Sequence, residues 1–211
     1  MNKKERIKLV GKILDEYFPA PQVPLHHVDP FTLLVAVMLS ASAQDARVNE
    51  VTKTLFKLAP TPQKMAAIDL GRLEKLLVPI GLYRAKSKNL KKCAQILVEK
   101  YHGKVPANMK DLESLPGVGH KTASVVMAQA FCIPAFPVDT HVFRLARRWK
   151  LSTAKTRKYV EEDLKRLFAK KEWIKRHLQM ILFGRKFCPA RGHSLGGCPI
   201  CSRLFQPDPI S

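Results

Sequence analysis

The stretch Leu115–Asp139, LPGVGHKTASVVMAQAFCIPAFPVD, decides how the rest of the chain is read. Pro116-Gly117-Val118-Gly119 predicts a tight turn, because two glycines at i and i+2 permit backbone angles that other residues resist. The apolar run behind it (Ala123, Val125, Val126, Met127, Ala128, Ala130) predicts a helix that opens beside Lys121. A turn that delivers backbone N–H groups to a helix N-terminus suits an anion, and a nucleic-acid phosphate is the obvious one. A cation at Lys121 faces the positive end of the helix dipole, which favours the neutral amine, and a neutral amine is a nucleophile. Asp139 lies in PVDTH, just before a second helical run (Val142, Leu145, Ala146, Trp149), where the plain reading is an N-cap. Taken singly, Lys121 reads as an ordinary solvated lysine.

Charge narrows the partner. The 211 residues carry 37 Lys and Arg against 17 Asp and Glu, a formal net charge of +20. That excess suits a polyanion such as DNA, although charge alone also fits a generically basic small protein. No hydrophobic run approaches the ~20 residues of a membrane span, and the charged segment Lys3–Lys8 lacks a signal-peptide core, so the protein reads as soluble and intracellular. The length allows one large domain or two small ones sharing a cleft.

Working outward, every periodic segment is helical. Ile7, Val10, Ile13, Leu14 and Phe18 predict a helix over 5–18, and Pro19 to Pro24 an extended linker. Asp29-Pro30 predicts a capped start for a helix buried along Phe31, Leu34, Val35, Met38 and Leu39. The pattern breaks over Ser40–Asp45 and resumes with Val48, Val51, Leu55 and Phe56. Further helices are predicted at about 63–68, 71–78, 84–101, 108–114, 121–131, 140–150, 155–169 and 172–183. No stretch alternates with period two between turn signals, so the fold class is all-α.

LPGVGxKTAxxV followed by VDTHVFRxxxR is a long ordered pattern, and it resembles the helix-hairpin-helix DNA glycosylases with a Gly-Pro-Asp loop, in particular the endonuclease III family. The resemblance runs over nearly the whole chain. It implies two helical domains with the active site in the cleft between them: a six-helix domain over 23–133, and a second made of 1–22 with 134–211. It implies a bifunctional DNA glycosylase and abasic-site lyase acting on duplex DNA with an oxidised pyrimidine, with Lys121 as nucleophile and Asp139 as assisting carboxylate. Gly117, Val118, Gly119 and His120 would meet a backbone phosphate. Leu82, in Ile80-Gly81-Leu82-Tyr83, would be the wedge inserted where a base is extruded, against the plain reading that it packs. Relatives read LSAQxTD where this chain reads Leu39-Ser40-Ala41-Ser42-Ala43-Gln44-Asp45. Ser42 therefore takes the place of a glutamine that fills the vacated stack, and Gln44, leaving the loop in another direction, is the possible substitute. A monomer placed in the cytoplasm at the bacterial nucleoid, with no membrane partner, also follows. The alternatives are a monofunctional glycosylase, which lacks the lysine, and a non-catalytic hairpin module, which has no reason to keep both Lys121 and Asp139.

The C-terminal segment departs from the pattern. Five cysteines, an odd number, with Cys188, Cys198 and Cys201 near the end, suggest metal binding rather than disulfides. The family holds a 4Fe-4S cluster with C-x6-C-x2-C-x5-C. Here the first gap is nine residues, and Pro207 stands where the fourth cysteine belongs. Cys93 and Cys132 read as buried small residues inside helices. Three outcomes stay open: a cluster completed by His193, zinc on Cys188, His193, Cys198 and Cys201, or no metal.

Overall fold

A computed structural model describes residues 1–205; Pro207 lies outside the described residues. Among those residues the structure is entirely helical, without strands. The helices are α1 (Lys3–Tyr17), α2 (Pro30–Ser40), α3 (Asp45–Leu58), α4 (Pro62–Ala67), α5 (Leu70–Leu77), α6 (Tyr83–Tyr101), α7 (Met109–Glu113), α8 (His120–Ala130), α9 (Thr140–Arg148), α10 (Arg157–Leu167), α11 (Trp173–Lys186) and α12 (Pro199–Phe205), with a 3-10 turn at Lys170–Glu172. Among the described residues no helix is long and apolar enough to cross a membrane.

The chain divides into two compact units, Val23–Ile133 and Met1–Gln22 with Pro134 onward. The first holds α2 to α8, one helix more than the six that the resemblance implied. Its centre is α2. Asp29 and Thr32 close a reciprocal capping box around Pro30, and every residue from Phe31 to Leu39 is buried. A helix apolar on all faces belongs in the middle of a core, and α2 is packed by α3, α6 and α8. On α8 the run Ala123–Ala128 is buried as well.

The second unit is built on α1, α9, α11 and α12 around Val10, Leu14, Phe136, Trp149, Phe183 and the three C-terminal cysteines. α1 begins two residues earlier than its apolar spacing suggests, because Asn2 and Glu5 form a capping box at 2.9 Å in each direction. Its C-terminal end is clamped by α11. Arg176, 6% exposed, donates to the Gly11 carbonyl at 3.0 Å and to the Asp15 carboxylate at 2.9 Å. Gln179 donates to Leu14 O, Asp15 Oδ1 and Phe18 O. Burial alone would raise the Asp15 carboxyl, but hydrogen bonds from Arg176, Lys175 and Gln179 outweigh it and hold the group well below the usual range. Contacts across more than 160 residues of sequence thus tie α1 to the C-terminal half.

Candidate nucleic-acid interface and metal centre

The hairpin is α7, the turn Ser114–Gly119, and α8. Gly117 is its hinge, with φ +79°, and a Cβ there would stand 3.0 Å from Asn89 Cβ and 3.1 Å from Met38 Cε. Gly119 differs from expectation. Its φ of −93° is open to any residue and a Cβ would meet no protein atom within 4 Å, so its backbone is no reason for glycine. As N-cap of α8 it supplies no side-chain cap for the first-turn amides, and Gly119, His120 and Lys121 are exposed. Val118 also has another task than expected: its side chain is buried and its amide donates to Leu115 O at 3.1 Å, closing the turn. His120 Nδ1 lies 2.7 Å from Glu113 Oε1, latching α8 to α7. Lys121 is the second residue of α8 and is exposed.

Two further loops of the same unit adjoin one another. Leu82, the N-cap of α6, is 71% exposed with φ 60°, so it neither packs nor caps. A left-handed non-glycine residue costs of order 1–3 kcal/mol and persists where the surroundings impose it. Ser42 is left-handed too, with φ 58°. Ser42, Gln44, Arg47, Pro79 and Gly81 line one recess of about 310 Å³, so Gln44, expected to leave its loop in another direction, borders the same space as Ser42. What joins these loops escaped the sequence reading: Lys86 on α6 donates to Leu39 O at 2.9 Å and Ala41 O at 2.6 Å, capping the C-terminus of α2 just before Ser42. Burial draws the Lys86 ammonium below its ordinary range.

In the other unit, Asp139 is the N-cap of α9, its Oδ1 accepting from Val142 N at 2.8 Å. The second carboxylate oxygen retains its own acceptor sites, so capping does not exhaust the group. Further along α9, Arg144 donates to Gly184 O at 3.1 Å and Cys188 O at 3.0 Å, and Arg148 to Cys188 Sγ at 3.2 Å and Pro189 O at 2.9 Å. The helix capped by Asp139 therefore grips the cysteine segment. These two arginines belong to the recognised VFRxxxR string, yet their partners lie about forty residues on and have no signature in sequence.

Cys188, His193, Cys198 and Cys201 converge, their ligand atoms all within 4.8 Å of one another. The three thiols are buried, and His193 Nε2 is buried with no hydrogen-bond partner outside the cluster, beside the Cys198 thiol. Cys188 and Cys201 hold the Cys198 thiol far below its usual range, while Cys198 raises Cys188 and Cys188 raises Cys201. Sulfurs this close sustain one thiolate between them, and a bound cation would let all three ionise. The donor set therefore fits a metal. Cys198 and Cys201 are brought together by the first turn of α12, a helix absent from the sequence reading. Cys93 is buried in α6, its thiol pushed up to about 12 by burial, whereas Cys132, expected inside a helix, lies beyond α8 and is exposed.

Comparison with known proteins places these features. Residues 35–170 match the HhH-GPD superfamily of base excision DNA repair proteins. Endonuclease III of Bacillus subtilis (strain 168) is 42% identical over 194 residues, covering 90% of this chain and 87% of that one. A non-covalent endonuclease III–DNA complex superposes with a TM-score of 0.92 at 41% identity, covering 97% of this chain and 95% of that chain. A trapped endonuclease III–DNA covalent intermediate does so with the same score and identity, covering 97% and 96%. The chain belongs to the HhH-GPD superfamily of base excision DNA repair proteins, and within it to the endonuclease III family.

Proposed function

We propose that this protein is a DNA glycosylase with abasic-site lyase activity that removes oxidised pyrimidines from duplex DNA. The observation that carries the reading is Lys121, exposed in the first turn of the hairpin's second helix, in a chain 41% identical to a protein trapped covalently on DNA. The Lys121 amine attacks C1′ of the damaged nucleotide; the C1′–N bond forms, the glycosidic bond breaks, and the base leaves with its electron pair and takes up a proton. Opening of the sugar ring gives a Schiff base. Loss of a C2′ proton then expels the 3′ phosphate and cleaves the strand. Asp139 assists by accepting the lysine proton or by stabilising positive charge at the sugar.

The remaining residues hold the substrate. The amides of Gly117, Gly119 and the first turn of α8 bind a backbone phosphate, with His120 beside them, and Val118 anchors the turn from the core side. Leu82, exposed and held in a strained conformation, is the wedge, while Ser42 and Gln44 border the recess next to it. The protein acts as a cytoplasmic, nucleoid-associated monomer. The family carries an iron–sulfur centre at the cysteine segment, and the three cysteines and one histidine of this chain also make a zinc ligand set. Cys188, His193, Cys198 and Cys201 would hold the group, which would stiffen the segment that α9 grips.

The test is borohydride trapping on duplex DNA carrying thymine glycol or an abasic site. Wild-type protein should be trapped covalently, and Lys121→Ala should bind DNA without being trapped. Asp139→Asn, which preserves an N-cap, should keep binding and lose most base excision. Undiminished trapping by Lys121→Ala removes the assignment, and excision without trapping by the wild type would indicate the monofunctional alternative.

A further inference from the structure

We infer that Cys188, His193, Cys198 and Cys201 form a mononuclear, tetrahedral zinc site, in place of the four-iron cluster that the family implies. Zinc bound at about 2.3 Å from sulfur and 2.0–2.1 Å from nitrogen places tetrahedral ligands about 3.8 Å apart for two sulfurs and about 3.6 Å apart for sulfur and nitrogen. Cys188 Sγ and Cys201 Sγ stand 3.8 Å apart. All four donor atoms lie within 4.8 Å of one another, so the widest pair need close by only about 1 Å. A 4Fe-4S cage puts each ligand on a different iron, on the outside of an eight-atom body, and donor atoms no more than 4.8 Å apart, two sulfurs among them at 3.8 Å, leave no place for that body between them.

Burial and charge agree with the separations. The three cysteines are packed into the hydrophobic core of their unit beside Trp149 and Phe183, so enlarging the site to hold a cage would displace core side chains. His193 Nε2, buried and with no hydrogen-bond partner outside the cluster, supplies the nitrogen that a site with three thiolates needs as its fourth ligand. Three thiolates and a neutral imidazole around a divalent ion leave one net negative charge. Arg148, donating to Cys188 Sγ at 3.2 Å, offsets it and fixes that ligand's orientation. The spacing Cys198-Pro-Ile-Cys201, wound as the first turn of α12, sets two sulfurs on one side of a helix start, an ordinary half of a zinc site.

The test is made on the full, untagged chain from cells supplied with both iron and zinc. Elemental analysis, acid-labile sulfide and the visible spectrum are read on the same sample. About one zinc per chain is expected, in colourless protein, with iron and sulfide far below stoichiometric even after anaerobic incubation with ferrous iron and sulfide. Replacing zinc by cobalt(II) should give intense d–d bands with thiolate-to-cobalt charge transfer, the signature of a tetrahedral thiolate-rich site. His193→Ala should lose the metal to a chelator that leaves the wild type loaded. His193→Cys, which keeps four ligands and the fold, should hold zinc while its cobalt bands shift toward an all-sulfur set. Iron in place of zinc, protein without any metal, or His193 variants with a wild-type cobalt spectrum would each overturn the assignment. Metal content is independent of borohydride trapping, so failure here is distinguishable from failure of the catalytic reading.

Discussion

At the hairpin the chemistry is carried by main-chain geometry, and at the cysteine segment by side chains gathered from a loop and a helix. Gly117 adopts φ +79° against Asn89 and Met38, in the turn that leads into the exposed start of α8 at Gly119, His120 and Lys121. A main-chain device tolerates little change in its glycine and much change around it, and here the hairpin keeps the family's string. The cysteine segment depends on four donor atoms meeting at one point. Such a site can exchange one ligand for another of different length, provided the loop lengthens to match. A nine-residue gap and His193 among the ligand atoms are what such an exchange would leave in this chain.

Breaking each region should therefore fail in a different way. The largest effect is Lys121→Ala, with covalent trapping lost altogether while the melting temperature stays at the wild-type value, because Lys121 is an exposed helical residue. A large fall in stability would show that the lysine has a structural task.

Cys198→Ser should reverse that pattern. It removes a buried ligand from the core of its unit, and the cost should exceed about 4 kcal/mol, where losses of a structural metal fall. Thermal or denaturant unfolding measures it, and a stability within about 1 kcal/mol of wild type would show that the site carries no structural metal.

Next come the two glycines, which separate backbone strain from ligand approach. Gly117→Ala should cost about 2–4 kcal/mol, from the left-handed φ and the 3.0 Å contact with Asn89. Gly119→Ala should leave stability nearly unchanged but weaken DNA binding, if a phosphate comes where its Cβ would stand. Equal DNA affinity for wild type and Gly119→Ala, measured at one salt concentration, would remove Gly119 from the phosphate site.

Leu82→Ala should leave stability unchanged, since the side chain is 71% exposed, and should slow processing of a paired lesion more than cleavage at an abasic site. Parallel losses on both substrates would deny it the wedge role.

The smallest effect concerns acid stability of the unit that holds the cysteines. Asp15 is held below its ordinary value of 3.8 in the folded state, so its contribution is complete above that value and is lost as pH falls beneath it. Asp15→Asn should accordingly lower stability at neutral pH and converge with wild type in strong acid. A pH-independent difference between the two would assign Asp15 an uncharged role.

Most of the helical fold was determined by sequence alone. Apolar spacing marks the helices from α1 to α11 to within a few residues, and Asp29-Pro30 and Asp139 cap where their types predict, because both signals are local. The hairpin glycines and Lys121 at a helix start were legible for the same reason, whereas Leu82 was singled out only by the resemblance, its plain reading being that it packs. Only the tertiary structure decided that Gly117, and not Gly119, is the hairpin glycine held in a left-handed conformation, that Val118 closes the turn, and that Lys86 joins α6 to the end of α2. It also decided that α12 forms and that Cys201 meets Cys188 at 3.8 Å, under the grip of Arg144 and Arg148. Cys198-Pro-Ile-Cys201 was legible as a ligand spacing, but no helix was read over Pro199–Phe205. Ligand distances depend on how α9, α11 and the final turn pack, and no local pattern encodes a separation set by elements forty residues apart.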